Sequence, residues 1–227
     1  MSIAPRTLEE LNRALASASS PAALLEALTD FEGQICLRFG DTHLAADTEF
    51  LGIYYSAFSF ALLIQGEINE ARMLVRRTPR SLTNADVTLQ NTFNLVRAVW
   101  NKQHTAVYQI LRLLPWPDNL KPLVDAFSTH FNNVTRDDLS AVYGAIRPET
   151  AASYLGFQAS PAESDTMEGV SGSTAPELIA SLVEQGWEYN ADTNLLTPIP
   201  KAAVMDGTEL DKIKIRQVAG LLHAIGD

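Results

Sequence analysis

The pattern that most constrains this chain is helical periodicity interrupted by short loops, which fills residues 1–150 without a run of strand alternation. A capping box at residues 7–10 and the pair Ser20-Pro21 mark the first two helix starts. A third helix, at about residues 47–65, is apolar nearly all round, which predicts burial on several sides. Short connections between the helices predict antiparallel neighbours, so the fold is predicted to be mainly α.

Small and apolar residues recur at the spacing of a tetratricopeptide-like hairpin. Phe58 and Leu62 precede Gly66 and Ala71, and small residues let paired helices approach closely. Further helices are predicted at residues 67–77, 83–100 and 104–114. We therefore predict a helical-repeat superhelix over residues 1–117.

The pattern changes character after residue 117. Three more helices are predicted there, at residues 119–131, 135–146 and 148–155. Thr135 and Asp138 suit the cap of the second of these helices, and the adjacent Asp137 and Asp138 suit its positive N-terminus. Residues 158–174 are polar, acidic and rich in Ser and Gly, which predicts a flexible loop.

The one clear β signal follows a helix that starts at a second capping box, residues 174–177. Residues 187–190 alternate, and residues 195–199 return as a second strand after a turn, with Trp187 predicted on the inner face. Helix, helix, flexible loop, helix and hairpin is the order of a winged-helix module, which we predict for residues 118–203.

The last segment, residues 204–227, is predicted to be a C-terminal assembly helix. Its apolar residues share a broad face, and within this sequence no domain follows to cover that face. This helix must therefore fold back onto the chain or dock on a partner, and the scaffold hypothesis expects it to dock together with the hairpin. The predicted partner-binding residues are Tyr189, Leu195, Leu196, Leu210, Ile213, Val218, Leu221, Leu222 and Ile225.

The charge balance argues against nucleic acid as a partner. The chain carries 17 basic and 27 acidic residues, a net charge of -10, and therefore repels polyanions on average. The helix before the hairpin would read DNA in a winged-helix binder, but it contains Glu177 and Glu184 and no Lys or Arg. A winged-helix nucleic-acid-binding protein remains the alternative of another class.

Groupings that would carry chemistry are not apparent in the sequence. Cys36 is the single cysteine, so neither an internal disulfide nor a thiolate zinc site is possible. The histidines do not form HxH or HExxH pairs; they are His43, His104, His130 and His223. We predict no catalytic residues, no metal, no cofactor and no small-molecule substrate. The apolar stretch at residues 54–64 is too short to span a bilayer, so no membrane association is expected.

One basic cluster stands out in this acidic chain. Arg72, Arg76, Arg77 and Arg80 lie within one short stretch. They could bind an acidic partner surface or form a solvated helix face, and the sequence does not favour either interpretation.

Several segments resemble the PCI-domain family, over about residues 47–200. Residues 69–72 with 76–79, and the later Ala98-Val99-Trp100, are similar to consecutive helices of its smallest members. Residues 151–156 are similar to a winged-helix helix. The most specific stretch is residues 182–187 with 193–198, which resembles the end of the small signalosome members.

The resemblance implies an architectural role in a large eukaryotic complex. The family supplies subunits to the COP-9 signalosome, the proteasome lid and translation initiation factor three, and the similarity favours the first. It implies a non-catalytic subunit that joins other PCI-domain subunits through winged-helix edges and a C-terminal helical bundle. In the signalosome, which deneddylates cullins, the metalloprotease centre lies in another subunit. The resemblance also implies a location in the cytoplasm and nucleus.

Overall fold

The computed structural model describes residues 4–18, 20–38, 48–157, 175–184 and 186–198, with side chains described except at residues 36–38 and 175–177. These residues form ten α-helices and one β-hairpin. The predicted loop at residues 158–174 and the predicted terminal helix lie outside them.

The helices come first and the hairpin last, as the sequence predicts. The helices are α1 (Leu8–Ser17), α2 (Pro21–Arg38), α3 (Thr48–Ile64), α4 (Ile68–Arg77), α5 (Arg80–Ala85), α6 (Val87–Trp100), α7 (His104–Leu113), α8 (Lys121–Val142), α9 (Pro148–Leu155) and α10 (Ala175–Glu184). The antiparallel hairpin consists of β1 (Trp187–Asn190) and β2 (Leu195–Pro198). The mainly helical fold with a small hairpin is therefore confirmed.

Side-chain caps fix the first two helix starts where the sequence predicts them. The Thr7 hydroxyl accepts a hydrogen bond from the Glu10 backbone N–H at 3.3 Å, and the Glu10 carboxylate accepts one from the Arg6 N–H at 2.6 Å. At α2, the Ser20 hydroxyl accepts from the Ala23 N–H at 3.2 Å. The bonds to Thr7 and Ser20 each satisfy a donor that the first helical turn leaves without a partner, and the bond from Arg6 ties the residue before the cap to the same turn.

Helix α3 is the centre of the helical array. Every residue of it from Phe50 to Ile64 is buried, and it packs against α1, α2, α4, α5, α6 and α8. Its few polar groups have partners: the Tyr54 hydroxyl donates to the Leu28 carbonyl at 2.6 Å, and Thr92 of α6 donates to the Ser56 hydroxyl at 3.1 Å. The predicted burial on several sides is confirmed.

The start of α6 differs from the prediction. The sequence predicts one helix from residue 83, but residues 80–85 form the separate short helix α5, and α6 begins at Val87. Asp86 separates them in an extended conformation, and its carboxylate accepts from the Leu89 N–H at 2.6 Å. The aspartate caps α6 because its oxygen satisfies an N-terminal donor, which places the helix start after it.

Helix α8 is continuous, and the prediction of two helices there is wrong. It runs for 22 residues, with Thr135 buried in its middle rather than at a cap. Asp137 and Asp138 therefore lie near its C-terminal end, not in a first turn. Asn132 and Asn133 favour a break only weakly, whereas burial on both sides of them favours continuation.

Two hydrophobic cores meet along α8. The first core includes Leu120, Val124 and Phe127 from its N-terminal half together with the helical array. The second contains Leu139 from its C-terminal half and residues of α9, α10 and the hairpin. Because one helix belongs to both, the division at residue 117 stays a prediction.

Within the described ranges, none of the helices is both long and apolar enough to cross a membrane.

Candidate docking surfaces

The hairpin has one buried and one exposed face. Trp187 is opposite Pro198, and Tyr189 is opposite Leu196, so these four side chains share the face directed at the second core. Trp187 is buried, as predicted. The other face is more polar and carries Glu188, Asn190, Leu195 and Thr197.

The hairpin has two outer edges, one along β1 and one along β2. A β-bridge to Ile146 occupies the edge of β2. The backbone groups of Leu196 and Ile146 exchange two hydrogen bonds, each 2.8 Å long. Successive strand residues direct their backbone groups to opposite sides, so Leu195 and Thr197 bond to β1. By the same alternation, the N–H and C=O of Tyr189 point away from β2. Among the described residues β1 pairs with β2 alone, so this edge is open.

The hairpin turn is fixed by asparagine side chains. The Asn190 side-chain oxygen accepts from the N–H groups of Asp192 and Thr193 at 2.9 and 3.2 Å. Asn194 takes a left-handed conformation, with φ 51°, and accepts a hydrogen bond from the Tyr189 hydroxyl at 3.0 Å. Asparagine tolerates this conformation and forms local turn bonds, so the strand register is fixed.

The predicted docking residues do not form one patch. Leu196 is 0% exposed, so its side chain holds the hairpin onto the second core instead of facing a partner. Tyr189 is 36% exposed at the rim of the inner face, while Leu195 is half-buried on the opposite face. The six predicted positions on the terminal helix lie outside the described residues. The hairpin therefore offers its β1 edge, with Tyr189 beside it.

The junction between the array and the winged-helix module is built on Gly156. This glycine ends α9 with φ 73°, and a Cβ added to it would overlap the Tyr108 ring of α7. Arg112, one turn further along α7, donates to the Gly156 carbonyl at 2.6 Å. Burial in this contact raises the pKa of Tyr108 to about 12. The sequence predicts that the helix ends at residue 155 but gives no signal for the α7 contact.

His104 lies in the same junction, at the start of α7. Its ring is 5.2 Å from the Tyr154 ring of α9 and 5.4 Å from the Phe131 ring of α8, measured between centroids. Burial lowers the pKa of His104, and the nearby Asp138 carboxylate opposes that shift. The neutral ring thus acts as an aromatic packing residue at the point where three helices meet.

The three arginines of α4 differ in the contacts that they make. Arg77 donates two hydrogen bonds to the Glu32 carboxylate of α2, at 2.6 and 2.9 Å. The Arg72 guanidinium lies 4.2 Å from the centre of the Trp100 ring. Arg76 is exposed. The four arginines therefore do not act as one group, because Arg77 is paired within the chain while Arg76 is exposed.

The described ranges contain no group of three His, Cys, Asp or Glu side chains placed to hold a metal ion. In α10 the charged residues are Glu177 and Glu184.

The fold consists of a helical array followed by a module that combines a β-bridge, helices and a β-hairpin. This order defines a PCI-type subunit, and comparison with known proteins agrees. Residues 49–206 match the CSN8/PSMD8/EIF3K family. A protein of Emericella nidulans called COP9 signalosome complex subunit 8 is 33% identical over 88% of this chain and 87% of its own length. Proteins of the same name are 21% identical in Arabidopsis thaliana, over 73% of this chain and 78% of theirs, and 18% identical in Danio rerio, over 63% and 67%. The chain belongs to the CSN8/PSMD8/EIF3K family.

Proposed function

We propose that this chain is a structural subunit of a COP9 signalosome and supports cullin deneddylation through assembly, without a catalytic centre of its own. The observation that carries the proposal is the relationship to signalosome subunit 8 of Emericella nidulans, which extends over nearly the whole of both chains. The family match over residues 49–206 includes the junction, the hairpin and the helices from α4 to α10, so it includes the β1 edge that we infer to dock.

The open edge of β1 supports an assembly role. An unpaired strand edge offers backbone donors and acceptors to a strand of another chain. Here the edge is four residues long and belongs to a hairpin whose Trp187 and Leu196 side chains are buried in the second core. We infer that another PCI-type subunit adds a strand to this edge, and that the terminal helix joins a bundle of helices from several subunits.

Purification of the tagged chain from its native cells, with identification of its companions, tests the proposal. We expect signalosome subunits to co-purify, and we expect deletion of residues 206–227 to abolish their recovery while the helical array stays folded by circular dichroism. Recovery of proteasome-lid or initiation-factor subunits instead would reassign the chain within its family. Normal assembly of the shortened chain would disprove the role of the terminal helix.

The β1 edge has its own prediction. Tyr189→Pro removes an N–H that points away from β2, so the hairpin stays paired while strand addition loses a donor. We expect about tenfold weaker association with the companion subunit, since a lost interfacial hydrogen bond costs about 1.4 kcal/mol. Tyr189→Ala is the matched control, because it removes the side chain and keeps the N–H. Equal weakening by both variants would mean that the tyrosine side chain, not the strand edge, makes the contact.

A further inference from the structure

A continuous groove runs between α4 and α6 and past the start of α5. It consists of two adjoining cavities of about 170 and 570 Å³ that share Val75, Arg76, Phe93 and Arg97 in their walls. Trp100 and Arg72 lie at one end, and Arg80 lies at the other. Neither the family relationship nor the hairpin edge accounts for this groove.

The groove is positively charged although the chain as a whole is strongly acidic. Arg72, Arg76, Arg80 and Arg97 line it, and no acidic residue of the described ranges does. Arg76, Arg80 and Arg97 are exposed and form no ion pair with an acidic residue of the described ranges. The neighbouring Arg77, by contrast, is paired with Glu32. Among the described residues, the positive charge without an ion pair at the groove therefore comes from three helices, α4, α5 and α6.

One end of the groove combines a fixed cation with exposed apolar surface. Trp100 is 40% exposed, and the Arg72 guanidinium lies 4.2 Å from the centre of its ring. Stacking orients a guanidinium while leaving the N–H groups at its edge available to a carboxylate. Val75 and Phe93 complete an apolar wall beside it. This end suits an aromatic or aliphatic side chain with a carboxylate next to it.

The other end carries neutral hydrogen-bonding groups. Asn84, Gln90, Asn94 and Thr83 line it together with Arg80. Amide side chains both donate and accept, as peptide backbone groups do. A nucleic acid backbone requires many cations to replace its counterions, and a chain of net charge -10 with four groove arginines does not provide them.

We propose that this groove binds an acidic linear peptide segment of another protein, in which Asp and Glu residues flank an apolar side chain. The carboxylates pair with Arg76, Arg97 and Arg80, and the apolar side chain packs against Trp100. The groove is formed by α4, α5 and α6 and is separate from the β1 edge, so a peptide bound in it leaves that edge unoccupied. The inference goes beyond the proposed function and does not depend on it.

Fluorescence polarisation with the full chain tests this site. The probe is a fluorescein-labelled peptide in which glutamates and aspartates surround a Leu-Phe pair. We expect it to bind, to weaken steeply as NaCl is raised, and to weaken at least about tenfold in the double variant Arg76→Glu/Arg97→Glu, because two charge-assisted contacts become repulsive. Trp100→Ala is expected to weaken binding several-fold and to leave the salt dependence unchanged.

The control has the same change in charge at exposed arginines outside the groove, Arg13→Glu/Arg147→Glu. Circular dichroism confirms that each variant is folded. The proposal is overturned if the peptide does not bind, or if the groove and control variants bind it equally weakly. It is also overturned if labelled single-stranded oligothymidylate binds more tightly than the peptide and loses that binding in the groove variant, since the site would then be one for nucleic acid.

Discussion

Replacing Gly156 by alanine is expected to lower the free energy of unfolding by about 3 kcal/mol. Two independent costs add. An L-residue in the left-handed conformation costs about 1 kcal/mol, and forcing a methyl group into a packed aromatic contact costs about 1–3 kcal/mol. The contact is with the Tyr108 ring, and the same glycine accepts the Arg112 hydrogen bond, so strain here separates the helical array from the winged-helix module.

Alanine substitutions at two other glycines distinguish the backbone cost from the contact cost. The free energy of unfolding of each variant is measured by urea unfolding at one temperature. Gly66 has φ 77° and nothing near its missing Cβ, so Gly66→Ala is expected to cost only about 1 kcal/mol. Gly144 has neither feature, and Gly144→Ala is expected to stay within about 0.5 kcal/mol of the parent chain. If Gly156→Ala were no worse than Gly66→Ala, the Tyr108 contact would not hold the junction.

Phe60→Ala is expected to cost about 3–5 kcal/mol of stability, because it empties the centre of the array. Phe60 is 0% exposed, and its ring lies 5.4 Å from Trp116 and 6.0 Å from Phe127. These neighbours belong to the α7–α8 connection and to α8, so the cavity would loosen the contact between α3 and α8. Urea unfolding followed by tryptophan fluorescence measures the loss.

Leu113→Ala is the matched control for the core substitution. Leu113 is 76% exposed at the end of α7, so removing its side chain is expected to change the free energy of unfolding by less than about 0.5 kcal/mol. A loss below about 1.5 kcal/mol for Phe60→Ala would contradict the central position of α3, because large cavities in rigid cores cost more than that.

Local signals predict most of the array. Thr7 and Ser20 cap their helices because a hydroxyl next to an apolar-periodic stretch has a nearby N–H to satisfy. The all-round apolar pattern of α3 predicts its burial because no face of that helix could remain in water. The hairpin is predicted because its alternation matches the two faces of a strand pair.

The predictions that fail depend on contacts between residues that are far apart in the sequence. Thr135 looks like a cap in the sequence, but the packing of α8 against both cores buries it and continues the helix. Leu196 looks like a docking residue until its bridge to Ile146, fifty residues earlier in the chain, places it inside. The stacking of Arg72 on Trp100 likewise joins two helices whose separation no local pattern encodes.

Because α8 is continuous, its number of residues determines how the hairpin is rotated about the helix axis relative to the helical array. Its 22 residues extend about 33 Å, and each residue advances the chain by about 1.5 Å while turning it by about 100°. Both halves of the helix pack in hydrophobic cores, so one residue inserted near Asn133 would rotate the hairpin by about 100° around the helix axis relative to the array. The direction in which the β1 edge points therefore depends on the number of residues in α8.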